Sequence, residues 1–115
     1  MRIEQGCLLR IFVGERDKQD GRPLYEWIVI QAHARKMAGA TVYRGLMGFG
    51  AQTRVIHTFK IERLAEDLPV TIEIVDLRDK VEAFLTWIEQ QINSGLIATV
   101  QPVEIHTSES RTKLS

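Results

Sequence analysis

The sequence predicts a two-layer α+β sandwich, with one four-stranded antiparallel sheet and two helices on one of its faces. Three observations predict it. Strand-like runs recur at 7–14, 40–47, 68–76 and 96–105. Stretches with apolar residues at helical spacing separate the first run from the second and the third from the fourth. The order strand, helix, strand, strand, helix, strand then gives two right-handed βαβ units, which combine as a βαββαβ sandwich of ferredoxin-like topology.

Each element has its own signal. In "CLLRIFVG" (7–14), Leu9, Ile11 and Val13 share one face, and Leu8, Arg10 and Phe12 the other. "ERDKQDG" (15–21) is a polar turn, and Pro23 suits the first turn of a helix. Leu24, Trp27, Ile30, Ala34, Met37 and Ala38 form an apolar stripe, closed by Gly39 as a C′ residue. "ATVYRGLM" (40–47) is the second strand. Residues 54–67 alternate in polarity and read either as a strand arm or as a mobile loop. "LPVTIEIVD" (68–76) is the clearest strand, with Val70, Ile72 and Ile74 on one face. Asp76 or Asp79 can start the second helix, whose stripe is Val81, Phe84, Leu85, Ile88 and Ile92 and whose end is Gly95. Pro102 places the last strand (96–105) at a sheet edge, because proline cannot donate to a ladder. The single domain thus spans 1–115, with a core at 7–105, an arm at about 50–67 and a polar tail at 106–115.

Composition bounds the function. The chain has 115 residues, 44% apolar and 26% charged, which fits one soluble globular domain. Fifteen Lys and Arg balance fifteen Asp and Glu, so a general nucleic-acid binder is disfavoured. Cys7 stands alone in an apolar run and reads as a buried strand thiol. No apolar stretch approaches the ~18 residues of a membrane span, and "MRIEQGCLLR" has no signal-peptide core. A cytoplasmic protein without membrane insertion is expected. The sheet face away from the helices mixes Leu8, Phe12 and Val75 with Arg10, Thr71 and Glu73. Such a face is too apolar for water, and closing copies around a symmetry axis would bury it.

The segment "RGLMGFGAQ" (44–52) carries the chemistry. Gly45, Gly48 and Gly50 allow either a turn needing positive φ or a loop whose N–H groups cradle an anion. Arg44 and Lys60 would add positive charge. The spacing matches neither a Walker nor a Rossmann fingerprint. His33, His57 and His106 have no metal-ligand spacing, so no metal site is expected. The serines lie late and outside any GxSxG elbow, so no catalytic residue is expected. Trp27 reads as core, and Trp87 as lying off the main stripe at an interface.

"GATVYRGLMGFGAQTRVIHT" (39–58) resembles the segment of PII signalling proteins that leads into their T-loop. Over most of 8–105 the chain is closer still to the uncharacterised PII-like family of bacteria and archaea. That family's blocks match Leu9–Lys18, Pro23–Glu26, Ala38–Gly50, Ile56–Thr58 and Glu66–Asp76. The resemblance implies a homotrimer with ligand clefts between subunits, an adenine nucleotide in them, and a T-loop that engages a protein target. It places Gly48, Phe49, Gly50 and Gln52 at the T-loop base beside the nucleotide. With Arg44, Gly45 and Lys60 these make up the candidate nucleotide site.

The departures from PII are specific. Ala51 replaces the arginine after GFG, "NSGL" (93–96) stands where PII has a glycine-rich phosphate loop, and Glu104 and His106 align with its paired arginines. Fewer cations favour AMP or ADP over ATP and leave Mg²⁺ open. The reading is therefore a non-enzymatic PII-like regulator acting on an unidentified protein target. The alternatives are a CutA-like trimer holding a metal or small anion, a small nucleotide hydrolase using an acid such as Glu66, and a ligand-free assembly unit.

Overall fold

The computed structural model describes residues 1–49, 67–92 and 96–108. Its elements in chain order are β1 (Arg2–Gly14), β2 (Lys18–Gln19), β3 (Arg22–Pro23), α1 (Leu24–Ala34), β4 (Gly39–Arg44), β5 (Pro69–Leu77), α2 (Arg78–Gln91) and β6 (Ile97–Thr107). The main sheet has the order β4-β5-β1-β6, and every pairing in it is antiparallel. This is the expected sandwich, and Pro102 does lie on an edge strand. Residues 50–66, most of the expected arm, and Gly95 lie outside the described residues.

Strand parity builds the core. Cys7, Leu9, Ile11 and Val13 of β1 and Val70, Ile72 and Ile74 of β5 point toward the helices and are buried. Val81, Phe84 and Ile88 of α2, with Ile92 just beyond it, meet them at helical spacing. Asp76 is the buried charged residue among this set. Its carboxylate accepts from the Ala38 N–H at 2.9 Å and the Leu77 N–H at 2.6 Å, and Lys80 Nζ stands 3.3 Å away. It ties the end of β5 to the approach to β4 and the start of α2. The N-cap residue of α2 is accordingly Leu77, which has no side-chain cap, and Asp79 lies in its first turn.

Helix α1 departs from the expected phase. Leu24, Trp27, Ile28 and Ala32 are buried, whereas Ile30 and Ala34 are exposed. The segment is apolar on nearly every side, so two stripes compete, and neighbouring packing selects one. Trp27 stacks on Trp87 of α2 with centroids 5.7 Å apart, and the Arg35 guanidinium lies 3.5 Å over the Trp87 ring. Trp87 thus belongs to the seam between the helices. The helix stops at Ala34, not at Gly39. Met37 N–H bonds to Ala32 O at 3.1 Å and Lys36 N–H to His33 O at 3.0 Å, with Lys36 at φ 57°. That is a Schellman closure with lysine in the left-handed position.

Two further differences concern strand ends. The polar turn at 15–21 holds a miniature hairpin, β2–β3, closed by Asp20 (φ 52°) and Gly21 (φ 78°). Both dihedrals are those of a type I′ turn. β1 and β6 are also longer than expected, since Arg2–Gly6 pair with Val103–Thr107. His106 and Thr107 belong to β6 rather than to the tail. Backbone pairing, not apolar alternation, extends this ribbon.

Candidate functional site

The sheet face away from the helices is the first component of the site. Register aligns Tyr43, Thr71, Phe12 and Ile97 across all four strands, and Gly39, Val75, Leu8 and Gln101 further along the same face. Between these rows Arg10 faces Glu73, as expected from their positions. Arg10 Nε donates to Glu73 Oε2 at 2.9 Å and Nη1 to Gln101 Oε1 at 3.2 Å. This polar ladder forms within one chain, so the guanidinium is neutralised on a face that also carries Leu8, Phe12 and Val75. Leu8, Phe12 and Val75 are half-buried, while Ile97 and Tyr43 are 44% and 54% exposed.

The second component is the chain leaving β4. Arg44 lies on the helix side of the sheet, opposite Val70, and Arg44 Nε sits 3.0 Å from Glu15 Oε2. The Gly45 N–H donates to Pro69 O at 2.7 Å. A Cβ on Gly45 would stand 2.8 Å from Pro69 Cγ, and one on Gly48 would stand 3.1 Å from the same atom. Gly48 also has φ 151°, where glycine is favoured. The first two glycines of the loop therefore serve the close approach of Pro69. Because the Gly45 N–H is already committed, the loop's candidates for an anion are the N–H groups of residues 46–49.

The side chains here point outward. Leu46 is 94% exposed, Phe49 67% and Met47 56%. Isolated exposed apolar residues are ordinary, but three within four positions of a glycine-pinned loop make it a candidate interaction surface. Carboxylates also gather beside the strand ends. Gly14 N–H bonds to Asp17 Oδ2 at 2.9 Å, and Arg16 N–H to Asp67 Oδ1 at 3.1 Å.

Of the sequence-predicted site residues, Arg44, Gly45, Gly48 and Phe49 fall together on this loop, while Gly50, Gln52 and Lys60 lie outside the described residues. Sequence reasoning missed Glu15 and Pro69. Neither has a local motif, and both matter through contacts with residues far along the chain. His106 Nε2 lies 3.0 Å from Glu104 Oε1 at the far end of β6, and His33 is exposed on α1. Among the described residues no group of three His, Cys, Asp or Glu side chains is placed to hold a metal. Among them, too, no helix is long and apolar enough to cross a membrane.

Comparison with known proteins gives concordant results. The DUF190 family, described as "Uncharacterized ACR, COG1993", matches residues 6–105. A UPF0166 protein of Aquifex aeolicus (strain VF5) is 39% identical over 105 residues, covering 91% of this chain and 97% of its own. A UPF0166 protein of Methanocaldococcus jannaschii is 37% identical over 91 residues, covering 78% and 82%. Among solved structures, CPII from Thiomonas intermedia K12, bound to ADP, AMP and acetate, superposes with a TM-score of 0.63 at 14% identity, over 93% of this chain and 94% of that one. A chain from Thermus thermophilus assigned as a PII-like signalling protein gives 0.61 at 16% identity, over 91% and 93%. These two likenesses bear on the fold. The chain belongs to the DUF190 (UPF0166) family and has the α+β sandwich of PII-like proteins.

Proposed function

We propose that this protein is a PII-like regulator that assembles as a homotrimer and holds an adenine nucleotide, AMP or ADP, in the cleft between subunits. The observation that carries the reading is the open sheet face, where Tyr43 of β4, Val75 of β5, Leu8 and Phe12 of β1 and Ile97 of β6 lie half-buried or exposed, beside a loop that turns Leu46, Met47 and Phe49 outward. A second copy would cover the face and wall the loop. Nucleotide in the related fold of CPII supports the ligand class. Arg44, Gly45, Gly48, Phe49, Gly50, Gln52 and Lys60 are the proposed contacts. The nucleotide-bound form would then meet a protein target in the cytoplasm, with no turnover of the nucleotide. Ligand contacts made in one state only are a physical route to such a switch.

Isothermal titration with AMP, ADP, ATP and cyclic AMP, with and without Mg²⁺, tests the reading. Binding of AMP or ADP at micromolar concentration, unaltered in nucleotide composition afterwards, is expected. No heat from any of the four would overturn it.

A further inference from the structure

We infer that Glu15 is a positioning residue that lowers the affinity of the nucleotide site by competing with the ligand for Arg44. The inference rests on the nucleotide reading above. Its basis is the way three strands end together. β1 and β4 flank β5, and Val13 and Arg44 are both register partners of Val70. Just beyond, the Glu15 N–H donates to Leu68 O at 2.8 Å and the Gly45 N–H to Pro69 O at 2.7 Å. Consecutive carbonyls entering β5 thus pin the chain leaving β1 and the chain leaving β4.

Strands two apart stand roughly 10 Å from each other, yet Glu15 Oε2 and Arg44 Nε meet at 3.0 Å across β5. The two partners differ in setting. The Glu15 side chain is 29% exposed and the Arg44 side chain 62%. The carboxylate is the fixed partner, held by its own pinned backbone, and the guanidinium is the one a ligand can reach.

Guanidinium prefers a planar, two-point grip on phosphate. An incoming phosphate must either displace Glu15 or bind beside its negative charge, and both lower affinity. Asp17 and Asp67, bonded to the Gly14 and Arg16 N–H groups, add to the negative surroundings but do not contact Arg44. Among the described residues Glu15 is therefore the carboxylate whose removal acts on Arg44 directly. Exposed ion pairs are worth little, so release of Arg44 gives roughly a two- to fivefold change.

The experiment titrates ADP, and adenosine as a ligand without phosphate, into wild-type protein, Glu15→Gln, Arg44→Gln and the double variant. Glu15→Ala repeats the test without a hydrogen-bonding side chain. Glu15→Gln is expected to tighten ADP about two- to fivefold, to leave adenosine unchanged, and to have no effect once Arg44 is glutamine. Coupling of this kind isolates the pair from general charge effects. Wild type that binds ADP, with Glu15→Gln equal or weaker, overturns the inference alone. A gain that persists in the Arg44→Gln background overturns it as well, since general electrostatics then explains it. Absence of ADP binding from every variant overturns both this inference and the reading beneath it.

Discussion

Val75→Glu is expected to disassemble the proposed trimer and to leave each chain folded. Val75 lies on the open face of β5, with Leu8 opposite on β1 and Gly39 opposite on β4. Its same-face neighbours along the strand are Glu73 and Leu77, and Arg10, diagonal to it on β1, is already engaged by Glu73 and Gln101, so a new carboxylate stands beside an existing acid with no uncommitted basic partner in register. In a single chain this position is half-buried and tolerates charge. In an assembly closed over this face the charge would be desolvated without a partner, which costs several kcal/mol, on top of ~1.5–3 kcal/mol of lost burial for the valine. Light scattering is expected to show the mass falling from three times 13.1 kDa to 13.1 kDa. Far-ultraviolet circular dichroism should stay unchanged, and ADP binding should disappear with the cleft. A Val75→Glu variant that stays trimeric would remove the open face from the interface.

Ile74→Ala, one residue away, has the opposite signature. Ile74 is fully buried and aligns with Ala40, Leu9 and Val100 on the helix-covered face. Removing three buried carbons leaves a cavity in a close-packed layer, and such changes cost about 2–5 kcal/mol. Against the roughly 5–15 kcal/mol that holds an ordinary domain together, that is a large share. Urea denaturation at fixed protein concentration should show the midpoint falling with little change in slope. Fixing the concentration matters because assembly itself stabilises the chain. The fraction of protein that remains folded should keep its assembly and its ligand. Two neighbouring positions with separate readouts thus test the parity of β5.

Parity and helical period make most of the frame legible. β5 and α2 carry a single dominant period, so Val70, Ile72, Ile74, Val81, Phe84 and Ile88 are all where the pattern puts them. Helix α1 is apolar on several sides, and its rotation depends on the Trp27–Trp87 stack, a contact that spacing alone does not reveal. Its closure by Lys36 is hidden for a related reason. A left-handed lysine costs little enough to be tolerated where carbonyls need donors, and Gly39 is the more obvious candidate. The ends of β1 and β6 extend past the predicted strands into "RIEQG" and "HT", which are not patterned for burial. They pair because their backbones meet.

The site is legible as a place and not as a mechanism. "RGLMGFG" stands out for its glycines, and it does sit at a strand end beside an exposed apolar surface. Yet two of those glycines are explained by Pro69, and Arg44 is engaged by Glu15, both partners distant in sequence. Contacts across the fold decide which groups a ligand meets.

The central claim is that nucleotide sits between copies of this chain at the loop following β4. Diffraction from crystals grown with ADP tests it most directly. Three copies closed over their open sheet faces are expected, with the phosphates within hydrogen-bond distance of Arg44 or of the N–H groups of residues 46–49, and a neighbouring copy completing the cleft. Nucleotide bound wholly within one chain, or copies packed through their helices with the open face in solvent, would contradict it.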